Sequence, residues 1–238
     1  YHPLWMVCVT AAAKVTGRTG LVHGVVGVHL VVGGLMVATW RWIAARVEMP
    51  APFLSVAFLL TWFIGAQWWG SEGWVNGLFQ LLTASALLHA DQRPTELRRW
   101  LAAGLLGGLM MLARLDLVFL AGLAVLWPLF STRWMEAQGT WGDGVIRAAL
   151  VAAATTAVVL PYVILNLIET GHAVPISGTI KSTFPVPTML GIDQKLGTTG
   201  KIALASAPVI GLLSLKSSIL PSYRRMLVWL SVGTVVQA

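Results

Sequence analysis

The residues that could do chemistry in this chain are few, and they fall in two short segments. Arg114 and Asp116 place two opposite charges inside an otherwise apolar stretch. The segment 171–187 combines Gly and Pro with hydroxyl side chains, Ser177 among them, and with the cation Lys181. Ionisable groups at membrane depth are costly and are functional by default. Cations and hydroxyls together suit phosphate and sugar oxygens as ligands.

A simpler structural interpretation exists for each segment. Arg114 and Asp116 are two residues apart, so at the tip of a helical hairpin they could pair with each other or with lipid headgroups. Lys181 could extend its amine from a surface or re-entrant loop to the headgroups. For each segment, the residues alone leave open both the structural interpretation and the binding of a phosphorylated ligand.

Three further polar residues, Glu72, His2 and His172, are candidates for a chemical role. Glu72 is the single carboxylate of the predicted joint 70–73, where it could act as a base, hold a metal or be a solvated turn residue. His2 and His172 could be acids, bases or interfacial anchors. The single cysteine, Cys8, excludes an intrachain disulfide and a Cys-based metal site. No phosphate-binding loop, dinucleotide fingerprint, HExxH or serine-hydrolase elbow occurs, so no metal ligand is assigned.

The elements that must position these residues are membrane helices. Hydrophobic residues make up 57% of the chain and charged residues 11%, whereas soluble domains carry about 25% charge. The apolar residues form blocks separated by short charged joints, as repeated bilayer crossings do. We therefore predict an all-α, polytopic transmembrane helix bundle with seven complete crossings and one partial one. These are 20–40, 53–69, 74–90, 100–113, 117–130, 145–168, 202–215 and the partial 226–236.

The basic residues indicate topology rather than nucleic-acid binding. Lys and Arg number 16 against 9 Asp and Glu, but they occur one or two at a time at the ends of apolar blocks. If the first crossing enters from outside, ten of the sixteen lie in inner joints and six in outer ones. The outer face then collects 1–17, 70–73, Arg114 to Asp116, and 169–200.

The domain prediction is a single transmembrane domain, 1–238, with an interfacial segment at 1–17 and an external loop at 169–200. The chain opens on Tyr1 and its last apolar block has about half the 20 residues of a crossing. We therefore expect an internal fragment of a longer protein.

Four short motifs carry a resemblance to a known family. They are HPLW at 2–5, GGLMMLARLD at 107–116, PYVILN at 161–166 and PISGTIK at 175–181. In this order they resemble the bacterial GT-C glycosyltransferases, multi-spanning enzymes that include aminoarabinose, arabinofuranosyl and protein O-mannosyl transferases. The resemblance covers nearly the whole chain.

The resemblance implies a function in the bacterial cytoplasmic membrane. The donor would be a polyprenyl-phosphate-linked sugar, and the acceptor, a glycan, lipid or protein, would lie on the extracytoplasmic side. Lys181 and Arg114 would hold the donor phosphate, and the substrate-binding candidates are Asp116, Ser177, His172, His2 and Glu72. The catalytic acidic pair, as base or divalent-metal ligand, is expected upstream of Tyr1, so no catalytic residue is assigned in this chain.

One departure and two alternatives accompany that resemblance. Related members often carry a carboxylate at the start of the third crossing, where this chain has Gly73-Trp74-Val75-Asn76. A transporter or flippase of lipid-linked sugars would also have many crossings, but it predicts polar residues at the midplane and internal repeats. A non-catalytic membrane subunit is the second alternative.

Overall fold

The structure, a computed structural model, describes residues 3–17, 19–47, 72–130 and 140–173. These ranges are helical and contain no strand, which confirms the all-α class. The α-helices are α1 (Pro3–Thr16), α2 (Leu21–Val47), α3 (Glu72–Gln92), α4 (Leu97–Ala113), α5 (Val118–Leu126) and α6 (Trp141–Thr170). Two 3-10 turns, Leu115–Leu117 and Trp127–Phe130, flank α5.

Helix α4 is the centre of the described bundle and packs between α3 and α6. A short turn joins α3 to α4, so these two helices run antiparallel. Glycine contacts show how α6 runs relative to α4, because Gly104 lies against Val151 and Gly108 lies against Val158. Residue numbers rise together along both helices, so α4 and α6 run parallel.

Helices α1 and α2 flank α3. Gly24 near the start of α2 lies against Thr16 near the end of α1, so α1 folds back on the helix that follows it. Trp42 in α2 contacts the ring of His89 in α3, with centroids 5.8 Å apart. Both residues are near the C-terminal ends of their helices, and α2 and α3 are therefore parallel.

The bundle consequently has two distinct ends. We call the one formed by the last turns of α2 and α3 and the first turns of α4 and α6 the arginine end. The opposite one, with the turn between α1 and α2, the start of α3 and the end of α4, is the Arg114 end. The core between them is apolar, and its largest fully buried side chains include Trp100, Met36, Ile43 and Leu81.

Two described helices are long and apolar enough to cross a membrane, namely Leu21–Ile43 within α2 and the whole of α6. Only 11% and 22%, respectively, of the most apolar 18-residue segments of these two helices are buried inside the protein. Large side chains such as Leu30 (73% exposed) and Ile168 (74% exposed) point outward. The core helix of a soluble protein would bury these faces, since exposing them to water is unfavourable.

The helix boundaries differ from the predicted crossings in ways that have local causes. Helix α2 continues past residue 40 through Arg41 to Val47, because arginine is a good helix former and does not by itself end a helix. Helix α6 starts at Trp141 rather than 145. Thr140 accepts a hydrogen bond from the Asp143 backbone N–H, and the Asp143 carboxylate accepts one from the Thr140 N–H at 2.9 Å. This capping box is a start signal visible in the sequence.

Other predicted boundaries shift as well. The joint 70–73 does not hold Glu72, which is the first residue of α3. The expected loop at 169–200 begins later, because α6 runs through Thr170 and ends where Gly171 adopts φ of 73°. The stretch 117–130 is not one α-helix, since it ends in the 3-10 turn that contains Pro128. The predicted crossings 53–69, 202–215 and 226–236 lie outside the described residues, and the count of seven stays a prediction.

Candidate functional site

Arg114 occupies a break between two apolar helices. Helix α4 ends at Ala113, and the Arg114 backbone turns to an extended conformation, with φ of −160° and ψ of 116°. Its N–H donates to the Met110 carbonyl at 3.1 Å, and its carbonyl accepts from the Leu117 N–H at 3.1 Å. Arg114 and Asp116 thus form the tip of a hairpin between α4 and α5. The Arg114 side chain is half-buried.

The position of this tip along α6 follows from the glycine contacts. Gly108 lies level with Val158, so Ala113, five residues later, lies level with residue 163. Helix α6 continues for seven more residues to Thr170. At 1.5 Å per residue, it extends about 10 Å beyond the end of α4.

The face of α6 that packs on α4 becomes polar at this level. It is formed by Val151, Thr155 and Val158, and helical spacing continues it to Tyr162 and Asn166. Tyr162 and Asn166 lie one helical turn apart on this face, and Asn166 is near enough to act on the Tyr162 hydroxyl. The Asn166 amide nitrogen is buried, and among the described residues it has no hydrogen-bond partner. Such an orphaned donor is a natural contact for a ligand oxygen.

The candidate site therefore consists of Arg114, Tyr162 and Asn166. A cation, a phenol and an amide suit a ligand that carries both phosphate and hydroxyl groups. Tyr162 and Asn166 both belong to the PYVILN motif at 161–166, which carries no predicted site residue. Their spacing of four residues next to Pro161 is the signal that was available.

Only part of the predicted site falls within the described structure. Glu72, as the first residue of α3, and His172, just after α6, lie at the Arg114 end. His172 is exposed, and its backbone N–H donates to the Thr170 hydroxyl at 3.3 Å. The predicted residues His2, Ser177 and Lys181 lie outside the described residues, as do the side chains of Glu72 and Asp116.

A second group of polar residues lies inside α3 and was missed as such by sequence analysis. Asn76, Gln80 and Thr83 are all buried, at 1%, 3% and 0% exposure. The Gln80 amide donates to the Asn76 side-chain oxygen at 3.0 Å, and the Thr83 hydroxyl donates to the Phe79 carbonyl at 2.7 Å. Within the described ranges the Asn76 amide nitrogen has no partner. Their spacing of four and three residues could have revealed one helical face.

The opposite end of the bundle collects positive charge. The Glu96 carboxylate accepts hydrogen bonds from Arg99 at 2.8 Å, Arg98 at 3.0 Å and Arg93 at 3.2 Å. The hydrogen bond from Arg99, followed by that from Arg98, lowers the pKa of Glu96 to about 2. Arg99 also donates to the His89 carbonyl at 3.1 Å, which ties this turn to the end of α3.

Two more arginines belong to the arginine end. Arg41 precedes Trp42 and is exposed. Arg147, near the start of α6, is 7% exposed and is attracted by Asp143 and Asp91. These two arginines and the three around Glu96 lie at this end, as does Arg46 in the last turn of α2, whereas Arg114 and Lys14 lie at the other.

Potential metal ligands are scattered over the described residues. In the ranges that the structure covers, no three His, Cys, Asp or Glu side chains come together to hold an ion. The divalent metal that the resemblance implies therefore has no ligand set in this part of the chain. Cys8 is half-buried with a free thiol, whose pKa is raised by burial.

Comparisons with known proteins give no relative for the chain. The scan against protein-family models, the search of curated proteins and the search of solved structures each found no match.

Proposed function

We propose that this chain is the membrane-embedded helical part of a glycosyltransferase that uses a polyprenyl-phosphate-linked sugar as its donor. The observation that carries the proposal is the position of Arg114. It lies in a helical break, level with the polar pair Tyr162 and Asn166, at the end of the bundle opposite the arginine end.

Membrane placement is the first step of the proposal. Helices α2 and α6 turn exposed apolar side chains outward along most of their length. A hydrocarbon environment accepts these faces, and all backbone polar groups of a helix are satisfied internally. The 30 residues of α6 correspond to about 45 Å, more than the roughly 30 Å of a hydrocarbon core.

The depth of Arg114 is the second step. If the hydrocarbon core begins at Arg147, it ends about 30 Å later, near Leu167. The level of Arg114 on α6 is residue 164, about 4.5 Å inside that limit. An arginine so placed can reach the headgroup region. A lipid-linked phosphate lies at this depth, with its tail in hydrocarbon.

Orientation is the third step. Cytoplasmic ends of membrane proteins carry the excess of Lys and Arg. The arginine end would then be cytoplasmic and the Arg114 end extracytoplasmic, in a bacterial cytoplasmic membrane. An extracytoplasmic acceptor, whether glycan, lipid or protein, would approach Arg114 from the side on which His172 lies.

The chemistry would be a displacement at the anomeric carbon of the sugar. The bond between this carbon and the phosphate oxygen breaks, and a bond to the acceptor oxygen forms. The phosphate leaves with the bonding electron pair, and Arg114 together with Lys181 would stabilise its charge. The acceptor proton would pass to a carboxylate outside the described residues. Tyr162 and Asn166 would hold the sugar hydroxyls, with Asp116, Ser177, His172, His2 and Glu72 as further contacts.

A second candidate function has its own observation. The buried residues Asn76, Gln80 and Thr83 form a polar row that runs from the second turn of α3 to its middle. Buried polar residues at this depth suit the midplane site of a lipid-linked-sugar transporter. Vesicles with a fluorescent polyprenyl-phosphate sugar would decide this. A transporter should move the lipid between leaflets and lose this activity in Asn76→Leu. A transferase should leave the leaflet distribution unchanged.

Binding of the donor lipid tests the main proposal. The full chain in phosphatidylcholine nanodiscs should bind polyprenyl monophosphate and discriminate against the neutral polyprenol, as measured by native mass spectrometry. Arg114→Gln should weaken phosphate binding about ten-fold or more, because charge-assisted hydrogen bonds contribute about 1.5–3 kcal/mol. Arg41→Gln, at the other end, is the matched control. Equal binding of the two lipids, or an unchanged Arg114→Gln variant, would refute the phosphate-binding role.

A further inference from the structure

We propose that the arginine end binds an anionic phospholipid, with the headgroup phosphate at Arg93 and Arg98 and an acyl chain along Leu97, Leu101 and Leu105. The inference rests on the membrane placement within the proposed function, but it is independent of sugar transfer and of Arg114. The bound phospholipid would belong to the leaflet at the arginine end, opposite the leaflet that contains Arg114.

The cluster around Glu96 carries an excess of positive charge. Three guanidinium groups share the single carboxylate of Glu96, which leaves this cluster with two uncompensated positive charges. Asp91 lies close in sequence, but its side chain is fully buried and its charge acts on Arg147. Since Glu96 stays ionised down to about pH 2, the excess is the same throughout the physiological pH range.

The three arginines of this cluster differ in how exposed their side chains are to solvent. Arg99 is 12% exposed and uses its side-chain nitrogens on Glu96 and on the His89 carbonyl. It is the structural member of the cluster. Arg93 and Arg98 are 66% and 81% exposed. A guanidinium has five N–H donors, and Arg93 gives only one nitrogen to Glu96, so donors remain for a phosphate.

The helix terminus adds to the positive potential. Arg98 and Arg99 lie in the first turn of α4, where the helix dipole is positive and basic residues are unfavourable. Glu96 is at the N-cap position, but its side chain makes no capping hydrogen bond and is engaged by the arginines. An external anion would relieve the repulsion among these groups.

An apolar row distinguishes a lipid from a free anion. Leu97, Leu101 and Leu105 follow one another at four-residue spacing on α4, and they are 50%, 41% and 40% exposed. The row begins at the arginines and extends about 12 Å along the helix towards the middle of the bundle. A phospholipid fits both parts, because its phosphate meets the cations while its acyl chain covers the leucines.

Lipid competition in nanodiscs tests the proposal. The full chain would be reconstituted in phosphatidylcholine with a minority of phosphatidylglycerol, and native mass spectrometry would count the lipids that stay bound. We expect phosphatidylglycerol to be enriched. The double variant Arg93→Gln/Arg98→Gln should reduce this enrichment about twenty-five-fold, from about five-fold for each arginine near the surface. Arg93→Lys/Arg98→Lys should retain most of it, and Lys14→Gln, at the other end, all of it.

The outcomes separate the two proposals. Undiminished phosphatidylglycerol enrichment in the double Gln variant would overturn the lipid site while leaving membrane placement intact. Equal displacement of long-chain and short-chain phosphatidylglycerol by inorganic phosphate would also overturn it, because a simple anion site would then suffice. A chain that does not enter nanodiscs at all would refute the membrane placement on which both proposals depend.

Discussion

The hydroxyl of Thr155 donates a hydrogen bond to the main-chain carbonyl oxygen of Gly104 across 3.0 Å, and it joins α6 to α4 in the buried core. The contact is as close as it is because Gly104 has no side chain. A Cβ atom there would lie 2.5 Å from the Val151 carbonyl oxygen and 2.6 Å from the Ala154 Cβ. This register between the two helices places Tyr162 and Asn166 level with Arg114.

Gly104→Ala should therefore destabilise the bundle. Backbone and Cβ atoms block the space, so the helices must separate, and overpacking of this kind costs about 1–3 kcal/mol. Unfolding in a denaturing detergent, followed by tryptophan fluorescence, measures the loss. Gly122→Ala is the matched control, since nothing lies within 4 Å of its added Cβ, and it should be neutral or mildly stabilising. Equal stability of the two variants would argue against close α4–α6 packing.

Thr155→Val should cost about 0.5–1.5 kcal/mol, because it removes the interhelical hydrogen bond while keeping the size of the side chain. Thr155→Ser should keep the bond and lose less stability. The same unfolding measurement applies, with Thr156→Val as control on an exposed position of α6. If Thr155→Val and Thr156→Val behave alike, the hydrogen bond contributes nothing to the packing.

The stability of the arginine end should depend on acid pH through Glu96. Its pKa falls from 4.5 to about 2 in the folded protein, so the folded state holds the proton less tightly than the unfolded one. The stabilisation is present above pH 4.5 and is lost as the pH falls towards 2. Protection from hydrogen exchange at the start of α4, measured relative to the intrinsic exchange rate at each pH, should fall across this range in the wild type. In the Glu96→Gln variant, the start of α4 should already be weakly protected at neutral pH. If this variant still shows the acid transition of the wild type, another carboxylate is responsible for it.

The two ends of the bundle should lie on opposite sides of the membrane. In a Cys8→Ser background, which removes the single native thiol, His172→Cys should react with an impermeant maleimide in intact cells. Gln92→Cys, exposed at the arginine end, should react only after permeabilisation. The reverse pattern would invert the proposed orientation, and labelling of both cysteines in intact cells would contradict a membrane-crossing α6.

The sequence alone predicted the features that depend on local pattern. Apolar blocks separated by charged joints indicate an all-α fold, and the charges at Arg114 and Asp116 mark the hairpin break that the structure contains. The capping box at Thr140 and Asp143 was equally visible and would have corrected the start of α6. In each case the cause is short-range, because helix periodicity, capping and charge act over about one or two turns.

The tertiary structure alone decided which distant residues share a level in the bundle. Contacts of Gly104 and Gly108 with α6 set the register that brings Tyr162 and Asn166 to the height of Arg114. The sharing of Glu96 among three arginines likewise depends on how the turn folds back on His89. Helical spacing determines the face on which a residue lies, but the relative height of two helices depends on packing between residues far apart in sequence, such as Gly104 and Thr155.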